Sequence, residues 1–276
     1  MHTRPERPFF LFLSSPARDQ VREDAMSNAG KDFLRGTRYP DFSTVDLVLR
    51  VPEPASELPV KDGQTIIKLP APKKVKVPTR SVRSAIESWE PPGFFSRSSL
   101  TLPELSFLLW CTQGLKKTVA ETVQVRNSPS SGSRYPLETY FVASEIEGLE
   151  TGLYRYLPST HSIVAERIDS GIILEMSTAS MNFRMVTRAA VTFLWVAVPY
   201  RTVWAVGNRG YRSAFIEAGH TCQNLILAAA SLGYQVCPID LFHDEMMAKL
   251  VNLDTETQWP VYLAAVGNAG EKVTLG

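Results

Sequence analysis

Four short stretches carry residue types that could bind or transform a small molecule. The first is Thr79-Arg80-Ser81-Val82-Arg83, directly after Pro78. Two guanidinium groups, a hydroxyl and the free N–H groups of a helix start suit an anion such as a phosphate. A surface helix start with solvated arginines fits the same pattern. The second is Arg126-Asn-Ser-Pro-Ser-Ser-Gly-Ser133, ahead of Tyr135-Pro136. Small hydroxyl residues around Gly132 let backbone approach a planar ligand and offer donors to it. An ordinary Ser/Gly loop reads the same way. The third is Ala218-Gly219-His220, where a lone helical His is more often a core or surface residue than a ligand. The fourth is Val236-Cys-Pro-Ile-Asp240. It is a strand end whose free backbone groups could meet a ring edge, or a plain exit into a loop.

Other chemistries lack their patterns. There is no GxxxxGK[ST] phosphate loop, no GxSxG elbow and no HExxH pair. Cys111, Cys222 and Cys237 form no CxxC pair, so neither a disulfide framework nor a metal site is expected. The 276 residues carry 29 Lys+Arg against 28 Asp+Glu, a net charge of +1. That balance argues against a nucleic-acid binder driven by bulk charge. An apolar content of 44% is too high for a disordered chain. The longest apolar stretch, Ala189 to Val198, is about half of the roughly 20 residues a membrane helix needs. Neither a membrane span nor a targeting segment is expected, and a reduced cytoplasmic setting follows from the cysteines.

The elements that must position these stretches are legible in outline. Twelve of the 19 prolines precede Gly93, eight of them between Pro52 and Pro92. Proline removes a backbone donor and disfavours helix before it. Residues 1–77 therefore read as an extended, partly disordered arm with short strands such as Thr65–Leu69, and residues 78–276 as the globular unit. Residues 1–45 are polar and of mixed charge. Thr101-Leu-Pro-Glu104 reads as a capping box opening a helix that stops near Gly114. Strands are expected at Glu138–Ser144, Gly152–Tyr156, Ala190–Val198, Gln235–Ile239 and Pro260–Val266. Ala218, Cys222, Leu225, Ala229 and Leu232 recur at helical spacing before Gly233. Asp244–Leu250 reads as a further helix. Helices and strands mix without regular βαβ alternation, which predicts an α+β fold with a mixed sheet.

The order of the motifs is more specific than any one of them. RSVR, PSSGSRYPLETY, GLYRY, NRGYRSAFIEAGHTCQNLILAAASLG, CPIDLF and a terminal VGN follow one another. This series resembles the nitroreductase superfamily, and within it the SagB-type thiazoline and oxazoline dehydrogenases, from Pro78 to Gly276. The resemblance implies a nitroreductase-like fold: a mixed, mainly antiparallel sheet flanked by helices, with the proline-rich N-terminal arm in front. It further implies a homodimer with FMN at the interface, touched by both chains. Carried over by motif, Arg80, Ser81 and Arg83 would hold the phosphate, ribityl chain or pyrimidine edge of FMN. Pro129, Ser130, Ser131 and Ser133 would reach the flavin from the partner subunit. Glu217 and His220 would lie beside the ring. Pro238, Ile239 and Asp240 would line it with backbone groups, and Lys272 would be a phosphate partner. The chemistry would be hydride transfer between flavin and a small or peptide-derived substrate, with NAD(P)H as a candidate donor.

Three departures qualify that picture. Thr79 stands where the nitroreductase motif has a further Arg. Ala205-Val206 stand where azoline dehydrogenases carry a Lys-Tyr pair thought to act as base. The sequence ends six residues after Gly270, where classical nitroreductases extend and swap a strand, so the arm is a candidate for that embrace. The second departure motivates an alternative: a non-enzymatic flavin-fold scaffold that binds a peptide or a partner enzyme. A third reading is a flavin-consuming branch of the superfamily.

Overall fold

The computed structural model describes residues 28–119 and 124–270. Lys272, and the part of the arm before residue 28, lie outside them. Helix α1 covers 28–36, so the arm also contains helix and is not extended throughout. Strand β1 (Ile66–Lys68), helix α2 (Val82–Glu87), the two-residue strands β2 (Phe95–Ser96) and β3 (Leu100–Thr101), and helix α3 (Leu102–Gln113) follow. Next come β4 (Leu115–Thr118), β5 (Gln124–Arg126), β6 (Leu137–Ala143), β7 (Ile146–Glu147), β8 (Gly152–Leu157) and β9 (Ser162–Ile168). The rest is α4 (Ile172–Ala179), α5 (Phe183–Val186), β10 (Val191–Ala197), α6 (Tyr200–Val206), α7 (Arg209–Leu232), β11 (Gln235–Ile239), α8 (Asp244–Leu250) and β12 (Trp259–Ala269).

Eight strands form the main sheet, in the order β1-β9-β8-β6-β10-β12-β11, with β2 also paired to β12. Every pairing in it is antiparallel; the parallel pair β3–β7 lies outside. The central register runs from Leu137 opposite Ala197 to Ala143 opposite Val191. Strand β11 ends the path, an edge position that tolerates Pro238.

Both faces of the sheet are covered, which explains why β6 and β10 are buried at every position. Phe141, Phe193 and Trp195 point to one face, against Leu105, Leu108 and Leu109 of α3 and Leu225 and Ala229 of α7. Tyr140, Val142, Leu194 and Val196 alternate to the other, against Ile172 and Met176 of α4 and Met247 and Leu250 of α8. The Thr101–Glu104 capping box opens α3 as expected. Helix α7 begins nine residues before the recurrence that predicts it, and ends at Gly233, whose φ of 88° suits a residue without a Cβ.

The arm is stitched down by buried arginines. Arg201 Nε donates to the Ala55 carbonyl at 2.8 Å, and Arg126 Nη2 to that of Ser56 at 3.1 Å. Arg155 donates to the carbonyls of Leu58 and Pro59 at 2.9 and 3.0 Å. Trp204 Nε1 donates to Val51 O. A proline-rich segment lacks an N–H donor at each proline but keeps every carbonyl, so it serves as an acceptor ladder for guanidinium groups. Glu138, only 2% exposed, pairs with both Arg201 and Arg155 and accepts from Leu58 N. Burial alone would raise its carboxyl pKa; the two guanidinium groups overcome that and hold it below the usual range.

Candidate functional site

The Ser/Gly loop and the long helix meet. Ser131 N donates to Glu217 Oε1 at 2.9 Å, and the Ser130 hydroxyl also bonds to that carboxyl. Tyr135 N donates back to Ser130 Oγ at 2.8 Å, and the Tyr135 hydroxyl accepts from Arg126 N at 2.8 Å. The Arg126 guanidinium lies over the Tyr135 ring, 4.8 Å from its centroid. Two turns on from Glu217, helix α7 holds the start of the same loop and the end of α3. Asn224 Nδ2 donates to Cys111 O at 3.1 Å and to Asn127 O at 3.5 Å.

These ties impose an unusual backbone. Gly132 has φ 60°, and two non-glycine residues, Ser133 at 56° and Tyr135 at 46°, share the left-handed region. Such conformations persist where surrounding contacts over-determine them, and they cluster at functional sites.

Beside the loop lies a cavity of about 680 Å³, within the range of small-molecule sites. Pro129, Ser130 and Ser131 form one wall, and Ile216, Glu217 and His220 of α7 another. Tyr39, Pro40 and Phe42 of the arm, with Val206 and Arg209, complete it. Glu217 is 4% exposed, and burial pushes its carboxyl up to about 7, against the opposing pull of the loop hydrogen bonds and Arg126. The site thus holds a carboxyl that changes charge near neutral pH next to an apolar wall.

Five of the sequence-predicted residues, Pro129, Ser130, Ser131, Glu217 and His220, therefore line one cavity. Ser133 belongs to the same loop but does not line it. The others stand apart within this chain. Ser81 caps α2, accepting from Ser84 N at 3.0 Å. Arg80 Nη1 donates to Ala230 O at 2.6 Å, near the C-terminal end of α7, and Arg83 pairs with Glu87 on the exposed face of α2. The two guanidinium groups do not converge. Ala230 lies ten residues beyond His220, about 15 Å along the helix. Pro238 and Ile239 sit in β11, Ile239 with its side chain in the core, and Asp240 is exposed just beyond.

Sequence reasoning missed the arm residues Tyr39, Pro40 and Phe42, which have no motif of their own. It also missed Arg209, whose signal was present: it lies in the NRGYR stretch at the first position of α7. Among the described residues no group of His, Cys, Asp and Glu could hold a metal ion, and no helix is long and apolar enough to cross a membrane.

Comparison with known proteins agrees with this architecture. The profile of the nitroreductase family matches residues 94–268. A Methanocaldococcus jannaschii protein named as a nitroreductase is 32% identical over 173 residues, 63% of this chain and 83% of its own length. The microcin B17-processing protein McbC of Escherichia coli is 24% identical over 150 residues, 53% of this chain and 55% of its own. This chain thus spans about half of McbC in that alignment. Among solved structures, a nitroreductase-named protein of Anabaena variabilis superposes with a TM-score of 0.64 at 22% identity, over 86% of this chain and 45% of its own. The E. coli microcin synthetase McbBCD complex with truncated pro-MccB17 gives 0.57 at 18% identity, over 94% of this chain and 99% of the matched one. With the antiparallel sheet, the ordered motifs and the family match over more than half its length, the chain belongs to the nitroreductase family of oxidoreductases.

Proposed function

We propose that this chain binds FMN as a homodimer and moves hydride between the flavin and a small or peptide-derived organic substrate. The observation that carries the reading is the cavity where the Pro129–Ser131 loop, Glu217 and His220 meet beside the exposed Ile216 of α7. The nitroreductase family generally uses flavin. The residues here suit one. Pro129, Pro40, Val206 and Ile216 offer apolar walls for a ring, while Arg209, His220 and the Ser131 hydroxyl offer polar groups around them. Arg80, Ser81 and Arg83 would serve the phosphate end from the other subunit, since within one chain they lie too far along α7. Pro238, Ile239 and Asp240 would supply backbone contacts, and Lys272 a further cation.

When bound, FMN supplies the hydride chemistry at its ring. The chain's own residues orient and screen it. Glu217 holds the loop in its left-handed turn through Ser131 N, which fixes where Pro129 and Ser130 stand. The arm residues Tyr39, Pro40 and Phe42 close one side. In the arm-plus-domain division (1–77 and 78–276), the arm is part of the site wall. Phe215 and Ile216, both 56% exposed on α7, are the apolar surface that a second copy would cover. A cytoplasmic location and NAD(P)H as electron donor belong to the same reading.

The purified protein should be yellow and release FMN on denaturation. Colourless protein that takes up no added FMN would overturn the proposal. Anaerobic bleaching by NAD(P)H separates a reductase from a substrate-driven dehydrogenase. A second reading, a scaffold for a peptide or partner enzyme, is favoured by one observation. Val206 lines the cavity at the place where the resembled dehydrogenases carry their Lys-Tyr pair, and it can move no proton. Bound flavin that turns over with no acceptor, together with a co-purifying partner, would favour it.

A further inference from the structure

A second cavity, of about 560 Å³, lies on the opposite face of the sheet. It shares no residue with the first. The arm at Leu58–Gln64 forms one side, and the end of α8 with the turn after it, from Lys249 to Asp254, forms another. Its floor is the sheet itself at Tyr140, Leu153 and Arg155. The two faces separate the cavities because Tyr140 and Phe141 alternate: Phe141 packs toward α7, and Tyr140 away from it.

The charges around this cavity do not cancel. The deep groups are matched: Arg155 pairs with Glu138 and Glu166, and Gln64 Nε2 donates to the other oxygen of Glu166 at 2.6 Å. Arg167 pairs with Glu175 at 2.8 Å. The Asp254 carboxylate accepts from Glu256 N at 3.2 Å and from the Thr257 hydroxyl at 2.9 Å. What remains is an excess of positive charge: two ammonium groups stand against the one Asp254 carboxylate, whose hydrogen bonds come from neutral donors. The ammonium groups of Lys61 and Lys249 line the cavity without a carboxylate or carbonyl partner among the described residues. Tyr140, 5% exposed, keeps its hydroxyl there without a hydrogen-bond partner among them. Burial pushes the Tyr140 pKa up, so the group stays a donor at neutral pH. That hydroxyl is free to donate to a ligand acceptor in the cavity. Leu58, Leu250 and Val251 supply an apolar wall beside these three donors.

We propose that this cavity is a second binding site, for an organic oxyanion with a short apolar body, with Tyr140 hydrogen-bonding the oxyanion at the floor and Lys61 and Lys249 compensating its charge at the rim. The volume suits a body no larger than a dipeptide or a mononucleotide. A carboxylate and a phosphate monoester share this chemistry. The proposal is independent of the flavin reading, since it uses other residues on another face.

The test is calorimetric titration of the full chain with N-acetyl-leucine and, separately, with phenyl phosphate, each at low and high salt. Binding of either probe, weakened by salt, is expected; the probe that binds identifies the oxyanion. Lys61→Ala with Lys249→Ala should weaken it at least about tenfold, equivalent to about 1.4 kcal/mol. Tyr140→Phe, which keeps the packed ring, should weaken it severalfold. Both lysines are exposed, so their loss leaves the fold intact. No binding of either probe up to about 10 mM, or binding unchanged in the double lysine variant, would overturn the proposal. An equal loss in Glu217→Gln would also overturn it, by placing the ligand in the other cavity.

Discussion

Burial and the loop hydrogen bonds compete for the proton of Glu217. Its folded-state pKa, about 7, lies above the ordinary carboxyl value of 4.5. The folded state therefore binds a proton more tightly than the unfolded chain between those values. The stabilisation from this shift is fully present below 4.5 and is lost as pH rises through about 7. Wild-type melting temperature should fall from pH 5 to pH 8 more steeply than that of Glu217→Gln, which removes the titration but keeps an acceptor for Ser131 N. Parallel slopes in thermal unfolding would show that Glu217 carries no such linkage. Glu138 makes a contrasting case. It is held ionised between Arg201 and Arg155, and Glu138→Ala would leave the buried Arg201 guanidinium without its anion and Arg155 with Glu166 alone. A loss of about 3–5 kcal/mol in denaturant unfolding is expected. The sequence showed Glu217 through its motif, whereas Glu138 read only as the start of a strand. A buried ion pair across distant segments has no local pattern, and its partners lie 17 and 63 positions away.

At the scale of elements, local physics was the more legible part. The capping box of α3, the stop of α7 at Gly233, and the bounds of β11 and α8 all follow from residues that touch each other within a turn. Thr101→Ala removes the hydroxyl that accepts from Glu104 N and should cost about 1 kcal/mol. Chemical denaturation with an unchanged m-value checks it. Strand β9 and helices α4 and α6 went unread. Strand β9 grades from buried at Ser162 to exposed at Ile168, so it lacks a clean alternation. Helix α6 contains three β-branched residues and a buried Arg201, and its helicity rests on packing against α7 rather than on propensity. The placement of Arg80 was equally hidden. Its partner is a carbonyl 150 residues away, and no spacing rule reaches that far.

For the whole molecule, the exposed stripe on α7 makes a sharp demand. Phe215 and Ile216 stand exposed beside the cavity, and Phe33 of α1 packs edge-on against Phe215 with ring centroids 6.2 Å apart. If a second copy covers this face, Ile216→Glu buries a charge in the interface and should shift the protein from dimer to monomer in analytical ultracentrifugation. Flavin should be lost with it, because each site would draw residues from both subunits. A monomeric wild type that keeps its flavin would refute the shared site.

The acceptor ladder of the arm also separates two kinds of unit. The family profile begins at residue 94, yet Arg126, Arg155 and Arg201 bind carbonyls at positions 55 to 59. Inheritance would mark out a segment that chemistry does not let stand alone. A fragment starting at residue 78 would keep three guanidinium groups in a buried setting and lose the oxygens that receive them. It should collect in inclusion bodies, and adding residues 46–77 as a separate peptide should recover folded protein. During synthesis residues 55–59 leave the ribosome before all three arginines, and their acceptors can be filled completely only after Arg201 has emerged. The docking of the arm is thus completed late in synthesis.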